Sequence, residues 1–271
     1  MKQFSSLAAT LVLLAGVAVS GSALAASDKD DPRSPPGGWP FAKLVGAHFD
    51  RESAQRGFQV YKEVCASCHG LDFVAFRTLT DIGFNEDEVK AIASEYYVMG
   101  EPDDYGEVEE RPALPSDHFP NPYPNPQAAA FANGGSVPPD LSLITKARGG
   151  GPDYLYSLLT GYRDPTEEDL AEMAEQGLVM PDTAYFNPYK AGRVIAMAPP
   201  LFEGAVAYAD GQPEATLDQM AYDVTMFLHW TAEPKLEERN QIGFRFMILL
   251  FILCGLLFFS YRRVAKRVMG H

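Results

Sequence analysis

Two cysteines and a histidine within five consecutive residues constrain this 271-residue chain more than any other feature. The stretch is Cys65-Ala66-Ser67-Cys68-His69. Two thiols one helical turn apart can form thioether bonds with the two vinyl groups on one edge of a porphyrin, and the adjacent imidazole then lies under the iron. The motif therefore predicts one covalently attached haem c, with His69 as a ligand of its iron.

Other uses of a Cys-x-x-Cys pair fit the rest of the sequence less well. A structural zinc site needs four ligands, and the one remaining cysteine, Cys254, lies in an apolar stretch near the C-terminus. The other histidines are far apart in the sequence: His48, His118, His229 and His271. A thioredoxin-like redox pair needs a βαβ pattern, which is missing. One cysteine pair also cannot make a disulfide scaffold.

Apolar segments at both ends predict export and a membrane anchor. Residues 1–25 carry an early positive charge, an apolar run and an Ala-x-Ala site, which is the layout of a cleaved signal peptide. Residues 242–261 are apolar and, as a helix, would be about 30 Å long, which matches a bilayer core. The basic residues that follow predict a cytoplasmic tail over 262–271. Residues 26–241 are then a periplasmic domain, held at a bacterial inner membrane by a single span.

The predicted exported domain is strongly acidic. It contains all 36 Asp and Glu residues but only 16 of the 22 Lys and Arg residues, so its net charge is −20. Such a field repels nucleic acid and attracts basic proteins. We therefore expect no nucleic-acid partner, and a protein partner that docks through a basic face.

Helical periodicity dominates this domain, and strand-like alternation is almost absent. Asp50 is expected to cap a helix from Arg51 to about Cys65, which ends in the haem motif. Further helices are predicted within 85–99, over 152–162, around 167–176 and from a Thr216–Gln219 capping box to about 230. Residues 27–41 should form an extended arm, and the proline-rich residues 100–126 should lack regular structure.

The sixth ligand of the iron separates an electron carrier from a gas binder or a catalyst, because a methionine or histidine closes the site. Met197 is the best candidate, since it precedes Pro199-Pro200, which favours an extended backbone, and has a small alanine on each side. From the local sequence alone, a methionine that merely packs in a loop stays an alternative. Met99 is a weaker candidate, and Met220 and Met226 fit packing positions on a predicted helix.

Several short stretches, in this order along the chain, resemble the cytochrome c1 family. They are Leu71-Asp72-Phe73-Val74-Ala75-Phe76-Arg77, Tyr123-Pro124-Asn125-Pro126, Pro138-Pro139-Asp140-Leu141-Ser142, Leu158-Leu159-Thr160-Gly161-Tyr162, Tyr185-Phe186-Asn187-Pro188-Tyr189 and Met197-Ala198-Pro199-Pro200. The similarity covers about residues 40–261. It implies a mainly α, cytochrome c-like haem domain with long irregular loops, followed by one C-terminal transmembrane helix.

The resemblance also implies the roles of individual residues. Cys65 and Cys68 would be the thioether anchors, and His69 and Met197 would be the axial ligands of the iron. Two further residues match the family's haem pocket. They are Arg148, which would pair with a haem propionate, and Tyr154, which would line the pocket. From the residues alone, these two would be a surface charge beside three glycines and an aromatic residue on a helix.

The function implied by the resemblance is that of the haem c subunit of the cytochrome bc1 complex, a ubiquinol–cytochrome c oxidoreductase. The chain would accept electrons from the Rieske iron–sulfur protein, pass them to a soluble cytochrome c and sit beside cytochrome b in a dimeric complex. It would contribute no catalytic residue, because quinol chemistry belongs to other subunits. The alternatives are a haem c subunit of another membrane oxidoreductase and a haem-based sensor.

One segment departs from the family pattern. The acidic residues 164–182 form a longer segment than in mitochondrial relatives, and some bacterial relatives carry a disulfide near this region. No cysteine is available here, so we expect another device to hold this segment.

Overall fold

The computed structural model describes residues 31–43 and 46–270, apart from the side chain of Met269. The predicted signal peptide, residues 1–25, lies outside the described residues. The described part is mainly helical, and its few strands form two short antiparallel pairs. The predicted mainly α fold with long irregular connections is therefore confirmed.

The helices, in chain order, are α1 (Arg51–Val60), α2 (Glu86–Ser94), α3 (Pro126–Ala132), α4 (Ile144–Ala147), α5 (Gly151–Thr160), α6 (Glu167–Glu175), α7 (Leu217–Ala232) and α8 (Leu236–Met269). Short 3-10 helices span Pro40–Ala42 and Phe76–Ile82, and a π turn spans Tyr61–Cys65. The strand pairs are β1 (Tyr97–Met99) with β2 (Glu110–Pro112) and β3 (Tyr185–Phe186) with β4 (Val194–Ile195).

Helix α1 begins where the sequence predicts it, because Asp50 accepts a hydrogen bond from the backbone N–H of Ser53 at 3.2 Å. The helix continues into the π turn, in which the N–H of Ala66 donates to the carbonyl of Tyr61 at 2.8 Å. The predicted extent of this helix is confirmed, with a wider final turn. Such turns are frequent at functional sites, and this one leads directly into the haem motif.

Helices α1 and α7 cross closely, and this contact fixes where α1 ends. At Gly57, an added Cβ atom would lie 1.9 Å from the backbone oxygen of Asp223. The buried carboxylate of Asp223 accepts hydrogen bonds from Arg56 at 2.9 and 3.0 Å and from the hydroxyl of Ser53 at 2.6 Å. The close approach and the buried charges both require one relative placement of the two helices.

Helix α7 is capped as predicted at one of two bonds. The side chain of Thr216 accepts from the N–H of Gln219 at 3.2 Å. The Gln219 side chain does not complete a capping box: the N–H of Thr216 donates to the carbonyl of Glu214 at 2.8 Å, and the Gln219 amide donates to the buried carboxylate of Asp223 at 3.0 Å. Met220 and Met226 are fully buried in the core, so the prediction that they pack there is confirmed.

The prediction that residues 100–126 lack regular structure is wrong at Glu110–Pro112 and at the last residue of this range, Pro126, which begins α3. Glu110–Pro112 forms β2, with Arg111 opposite Val98. Proline is tolerated at a strand end on a sheet edge, because its missing N–H is not needed there. The helix predicted within 85–99 is α2, and it is shorter than that window because Tyr97–Met99 pairs with β2 instead.

Helix α8 contains the predicted membrane span. Over Leu236–Val268 it is long and apolar enough to cross a membrane, and it includes all of residues 242–261. In its first turn, the carboxylate of Glu237 accepts from the backbone N–H of Phe49 at 2.6 Å and lies 3.3 Å from the guanidinium of Arg51. The start of the anchor helix is therefore fastened to the segment that begins α1.

His229, near the end of α7, packs against two phenylalanine rings. Its ring centroid is 4.1 Å from that of Phe41 and 5.9 Å from that of Phe49, and its Nδ1 lies 3.1 Å from the hydroxyl of Thr145. Burial lowers the pKa of His229 to about 4, and the negative charge of Glu233 opposes this only in part. The imidazole is therefore neutral in the native protein at neutral pH.

We expect the protein to lose stability as the pH falls from about 6.5 to 4. In the unfolded chain His229 binds a proton below about pH 6.5, whereas in the native protein it stays neutral down to about pH 4. The difference is worth at most about 3 kcal/mol. Urea unfolding of the purified protein in detergent, at several pH values, measures it. In His229→Gln this part of the pH dependence should vanish, and an unaltered dependence would contradict the assignment.

Candidate functional site

The two predicted thioether anchors lie on the turn that follows α1. The N–H groups of Cys68 and His69 both donate to the carbonyl of Cys65, at 3.1 and 2.9 Å. The three side chains are therefore attached to a single turn of the backbone. Both thiols are free. Two free thiols on one turn, followed by an imidazole, are the arrangement that covalent attachment of a porphyrin needs.

The imidazole of His69 is held with one nitrogen toward the protein. Its Nδ1 lies 2.7 Å from the carbonyl oxygen of Pro139, and because a carbonyl only accepts, Nδ1 carries the proton. Nε2 then keeps its lone pair and is the nitrogen able to bind iron. Burial lowers the pKa of His69, which favours the neutral ring that a metal ligand requires.

Residues 138–142 form a strap across the haem motif, and the strap supplies the carbonyl that holds His69. The carboxylate of Asp140 accepts from the N–H of Asp72 at 2.7 Å and from the N–H of Ser142 at 2.9 Å. Asp140 therefore ties the strap to the residues just after the motif. Its role was not predicted, although the Pro-Pro-Asp order is typical of a turn whose carboxylate binds nearby backbone N–H groups.

Tyr123 connects the proline-rich segment to the motif. Its hydroxyl lies 3.8 Å from the Sγ of Cys68 and accepts a hydrogen bond from the side-chain amide of Asn133 at 3.1 Å. Helix α3, whose N-terminus is capped by Asn125, joins the two residues. The Tyr-Pro-Asn-Pro stretch carries part of the family resemblance, and its tyrosine contacts one of the two thiols.

Met197 lies two residues beyond β4 and is half-buried. Its backbone carbonyl accepts a hydrogen bond from the hydroxyl of Tyr162 at 3.2 Å. The hairpin before it is fastened to α5 by the buried Asn187, whose side-chain amide donates to the carbonyl of Leu158 at 2.7 Å. The backbone of Met197 is therefore supported from two directions, as a rigid ligand position needs.

Arg148 and Tyr154 lie on either side of the junction between α4 and α5. Arg148 is exposed, and Tyr154 is half-buried in the first turn of α5. Burial raises the pKa of Tyr154, and the charge of Arg148 opposes the rise. Burial also raises the pKa of Tyr162, and Tyr154 adds to this. Tyr162, just beyond the end of α5, contacts Met197 through its hydroxyl. It was not predicted as a site residue, although it ends one of the quoted stretches.

The predicted haem-binding residues therefore fall into two groups, one on the turn at the end of α1 and one around α5 and the segment after β4, where a hydrogen bond links Tyr162 to Met197. The first, at the end of α1, offers two thiols and a neutral imidazole. The second, around Tyr162, offers a thioether, a phenol and a guanidinium. These are the donors that a haem c uses for attachment, for axial ligation and for charge compensation of its propionates. The residues present fit the group.

The acidic segment 164–182 is more than a surface insertion. Its predicted helix is confirmed as α6, which Thr166 caps. Asp169 and Met173, both on α6, are each only 1% exposed. The carboxylate of Asp169 accepts two hydrogen bonds from Arg163, at 2.6 and 3.0 Å. An ion pair between the buried carboxylate of Asp169 and the partly exposed guanidinium of Arg163 therefore holds this segment, in which no cysteine is available.

The chain matches the Cytochrome C1 family over residues 39–268. It belongs to the cytochrome c1 family. The chain is 45% identical over 226 residues to cytochrome c1 of Rhodospirillum rubrum, which covers 81% of this chain and 82% of that protein. It is 51% identical over 202 residues to the mitochondrial cytochrome c1 heme protein of Kluyveromyces lactis, covering 74% of this chain and 66% of that protein. The predicted family is confirmed.

A third relative is much longer than this chain. Cytochrome b/c1 of Bradyrhizobium diazoefficiens is 43% identical over 277 residues, which is 97% of this chain but 40% of that protein. Cytochrome c1 is the membrane-anchored haem subunit of the cytochrome bc1 complex. The family thus accounts for a haem, for electron transport and for the apolar helix α8.

Proposed function

We propose that this chain relays single electrons within a cytochrome bc1 complex. It accepts an electron from the Rieske iron–sulfur protein and passes it to a soluble cytochrome c. The observation that carries the proposal is the imidazole of His69, held as a neutral ligand by Pro139 directly after two free thiols. One bound haem c supplies the one-electron ferrous–ferric couple.

Covalent attachment is the role of Cys65 and Cys68 in this proposal. Thioether bonds prevent loss of the group, and the hydrogen bond from His69 to Pro139 sets which ring nitrogen faces the iron. Met197 would supply the second protein ligand of the iron. A thioether in this position closes the site to small molecules and raises the reduction potential, which suits an electron carrier better than a gas sensor.

Arg148 and Tyr154 complete the proposed site at its polar edge. Arg148 is exposed at the end of α4, and Tyr154 is half-buried in the first turn of α5. A cation there can pair with a haem propionate, and the phenol can pack against the pocket wall. Both residues orient the group and stabilise its charge, and neither carries out chemistry. Quinol oxidation belongs to the other subunits.

Helix α8 sets the proposed location of the relay. With residues 1–25 removed as a signal peptide, the haem domain lies in the bacterial periplasm, α8 crosses the inner membrane, and residues 262–271 lie in the cytoplasm. The anchor keeps the domain beside cytochrome b. The bond between Glu237 and the N–H of Phe49 supports this geometry, since it fastens the anchor to the segment that begins α1.

The acidic surface supports a basic, soluble acceptor. The domain outside the membrane carries a net charge of −20. Within it, every Asp and Glu residue of the segment 101–110 is exposed. Such a field raises the rate of encounter with a basic cytochrome c. Because the attraction weakens with salt, the reduced cytochrome c can leave at ordinary ionic strength.

Co-purification from native membranes tests this function. We expect a tagged full-length chain, solubilised in mild detergent, to co-purify with cytochrome b and a Rieske iron–sulfur protein. The mass of the complex should be that of a dimer, with two copies of each subunit. A reduced-minus-oxidised spectrum should show b-type and c-type haem together. Co-purification with terminal-oxidase subunits instead would favour another oxidoreductase, and carbon monoxide binding by the unmodified reduced chain would favour a sensor.

A further inference from the structure

The carboxylate of Asp169 joins two arginines that flank the supports of Met197. It binds Arg163 through both oxygens, at 2.6 and 3.0 Å, and lies 3.4 Å from the Nη1 of Arg193. Glu172, one turn further along α6, binds the same nitrogen of Arg193 at 2.7 Å. Asp169 is buried and the side chain of Arg193 is largely buried, whereas the side chain of Arg163 is 41% exposed, so only the pair with Arg193 lies largely out of water. Helix α6 therefore holds both arginines.

The first arginine is the sequence neighbour of the tyrosine whose hydroxyl contacts Met197. Arg163 directly follows Tyr162, and the Tyr162 hydroxyl donates to the carbonyl of Met197 at 3.2 Å. The guanidinium of Arg163 also lies 4.7 Å from the ring centroid of Phe186 in β3. Fixing Arg163 therefore fixes the chain as it leaves α5, and with it the hydrogen bond from Tyr162 to the carbonyl of Met197.

The second arginine lies at the start of the strand that leads to Met197. Arg193 directly precedes β4, and its φ is 58°, a left-handed conformation that is unfavourable for a residue with a side chain. Among the described residues, it is the non-glycine residue with positive φ. Its carbonyl accepts from the N–H of Asn187 at 2.9 Å, closing the hairpin. The ion pairs with α6 therefore help to maintain a strained turn.

The charge state of Asp169 agrees with a permanent role. Hydrogen bonds from Arg163 hold the pKa of the Asp169 carboxyl far below its ordinary value, and Thr166 contributes in the same direction. The carboxylate is therefore ionised at every pH at which the protein works. Without this charge, Arg163 would lose its bidentate partner, and Arg193 would keep only Glu172 among the two carboxylates that α6 offers it.

We propose that Asp169 is a positioning residue for Met197. Asp169 binds both Arg163, next to Tyr162, and Arg193, which directly precedes β4. It thereby holds in one relative placement the two elements that support residues 195–198. This placement would keep the thioether of Met197 in position to bind the iron. The inference rests on the proposed function, because it assumes that Met197 is the axial ligand.

Carbon monoxide binding to the reduced full-length protein, purified in its membrane complex, tests the inference. In Asp169→Asn we expect the fraction of haem that binds carbon monoxide to rise on the order of tenfold, since a loosened loop releases the sixth position more often. The absorption band of methionine-ligated ferric haem should weaken in parallel. Haem content should stay unchanged, because the thioether anchors lie at the end of α1.

Asp117→Asn is the matched control. Asp117 also binds an arginine six residues away through both oxygens, with Arg111 at 2.6 and 3.0 Å, and it also accepts from a backbone N–H. The hydrogen bonds of its carboxylate go to Arg111 and to the N–H of Leu114, and not to Tyr162 or Arg193. We expect carbon monoxide binding in this variant to match the unmodified protein. An equal rise in both variants would overturn the inference, since the effect would then come from general loosening.

Arg193→Gly provides a second measurement if Asp169→Asn fails to accumulate. Glycine relieves the left-handed φ but removes the link to α6, so we expect the same direction of change. Unaltered carbon monoxide binding in the variants that accumulate would overturn the positioning role. Met197→Leu separates the two levels: if it leaves the haem spectrum and potential unaltered, the proposed ligand itself is wrong, whatever Asp169 does.

Discussion

In Met197→Leu, we expect the reduction potential of the haem to fall by on the order of 100 mV or more, within the range of about 0.8 V over which axial ligands set haem potentials. Leucine and methionine have similar volumes, so packing should change little. Leucine has no lone pair, however, so the proposed thioether ligand, which would favour the reduced iron, is removed. In the proposed relay the haem would then have too low a potential to accept an electron from the iron–sulfur protein, and quinol–cytochrome c turnover should nearly stop.

A redox titration followed by visible spectroscopy measures the potential, and steady-state reduction of cytochrome c measures turnover. Met99→Leu is the control, because it makes the same chemical change in β1, where the side chain of Met99 is 60% exposed. We expect it to keep both values. If Met197→Leu also keeps its potential, Met197 is not the ligand, and the sixth position belongs to another residue.

The parts of the fold that local sequence determines were predictable. Asp50 caps α1, Thr166 caps α6 and Thr216 caps α7, and each bond spans only three residues. The membrane span was predictable for the same reason, since its length and apolar composition are local properties. The pairing of β1 with β2 was not, because it joins residues across a loop whose prolines conceal a three-residue strand.

The candidate site divides in the same way. The Cys-x-x-Cys-His motif is local and could be read from five residues. Its support is not local: the carbonyl that orients His69 belongs to Pro139, 70 positions away in the sequence. The contact between Tyr162 and Met197 spans 35 positions. Neither pairing leaves a periodic signal in the chain, so only the family resemblance pointed to those stretches.

The acidic segment shows how composition can mislead. By its charge, residues 164–182 predict a solvated surface, and most of α6 is indeed exposed. One carboxylate of that run, Asp169, is buried because two arginines reach it, one from each side of the segment. Nothing local distinguishes Asp169 from its exposed neighbour Glu168, since the difference arises only when the hairpin folds back on α6.

The second large effect is expected at the crossing of α1 and α7. Alanine normally favours a helix over glycine by about 1 kcal/mol, but in Gly57→Ala we expect a loss of about 3 kcal/mol or more. The new Cβ would lie 1.9 Å from the backbone oxygen of Asp223 and 2.8 Å from the Cβ of Phe227, neither of which can swing away. The helices must separate, which also strains the buried pair between Arg56 and Asp223.

Urea unfolding of the purified protein, followed by far-ultraviolet circular dichroism, measures this loss, and the yield of covalently attached haem reports whether the motif still reaches its place. Gly149→Ala is the control, because a Cβ there meets nothing within 4 Å and its φ is not positive. We expect its unfolding midpoint to stay close to that of the unmodified protein. Since helix propensity and crowding act in opposite directions at Gly57, the sign of the change decides between them. A stabilised Gly57→Ala variant would mean that the two helices do not approach this closely, and that the end of α1 is held by the strap and the loops alone.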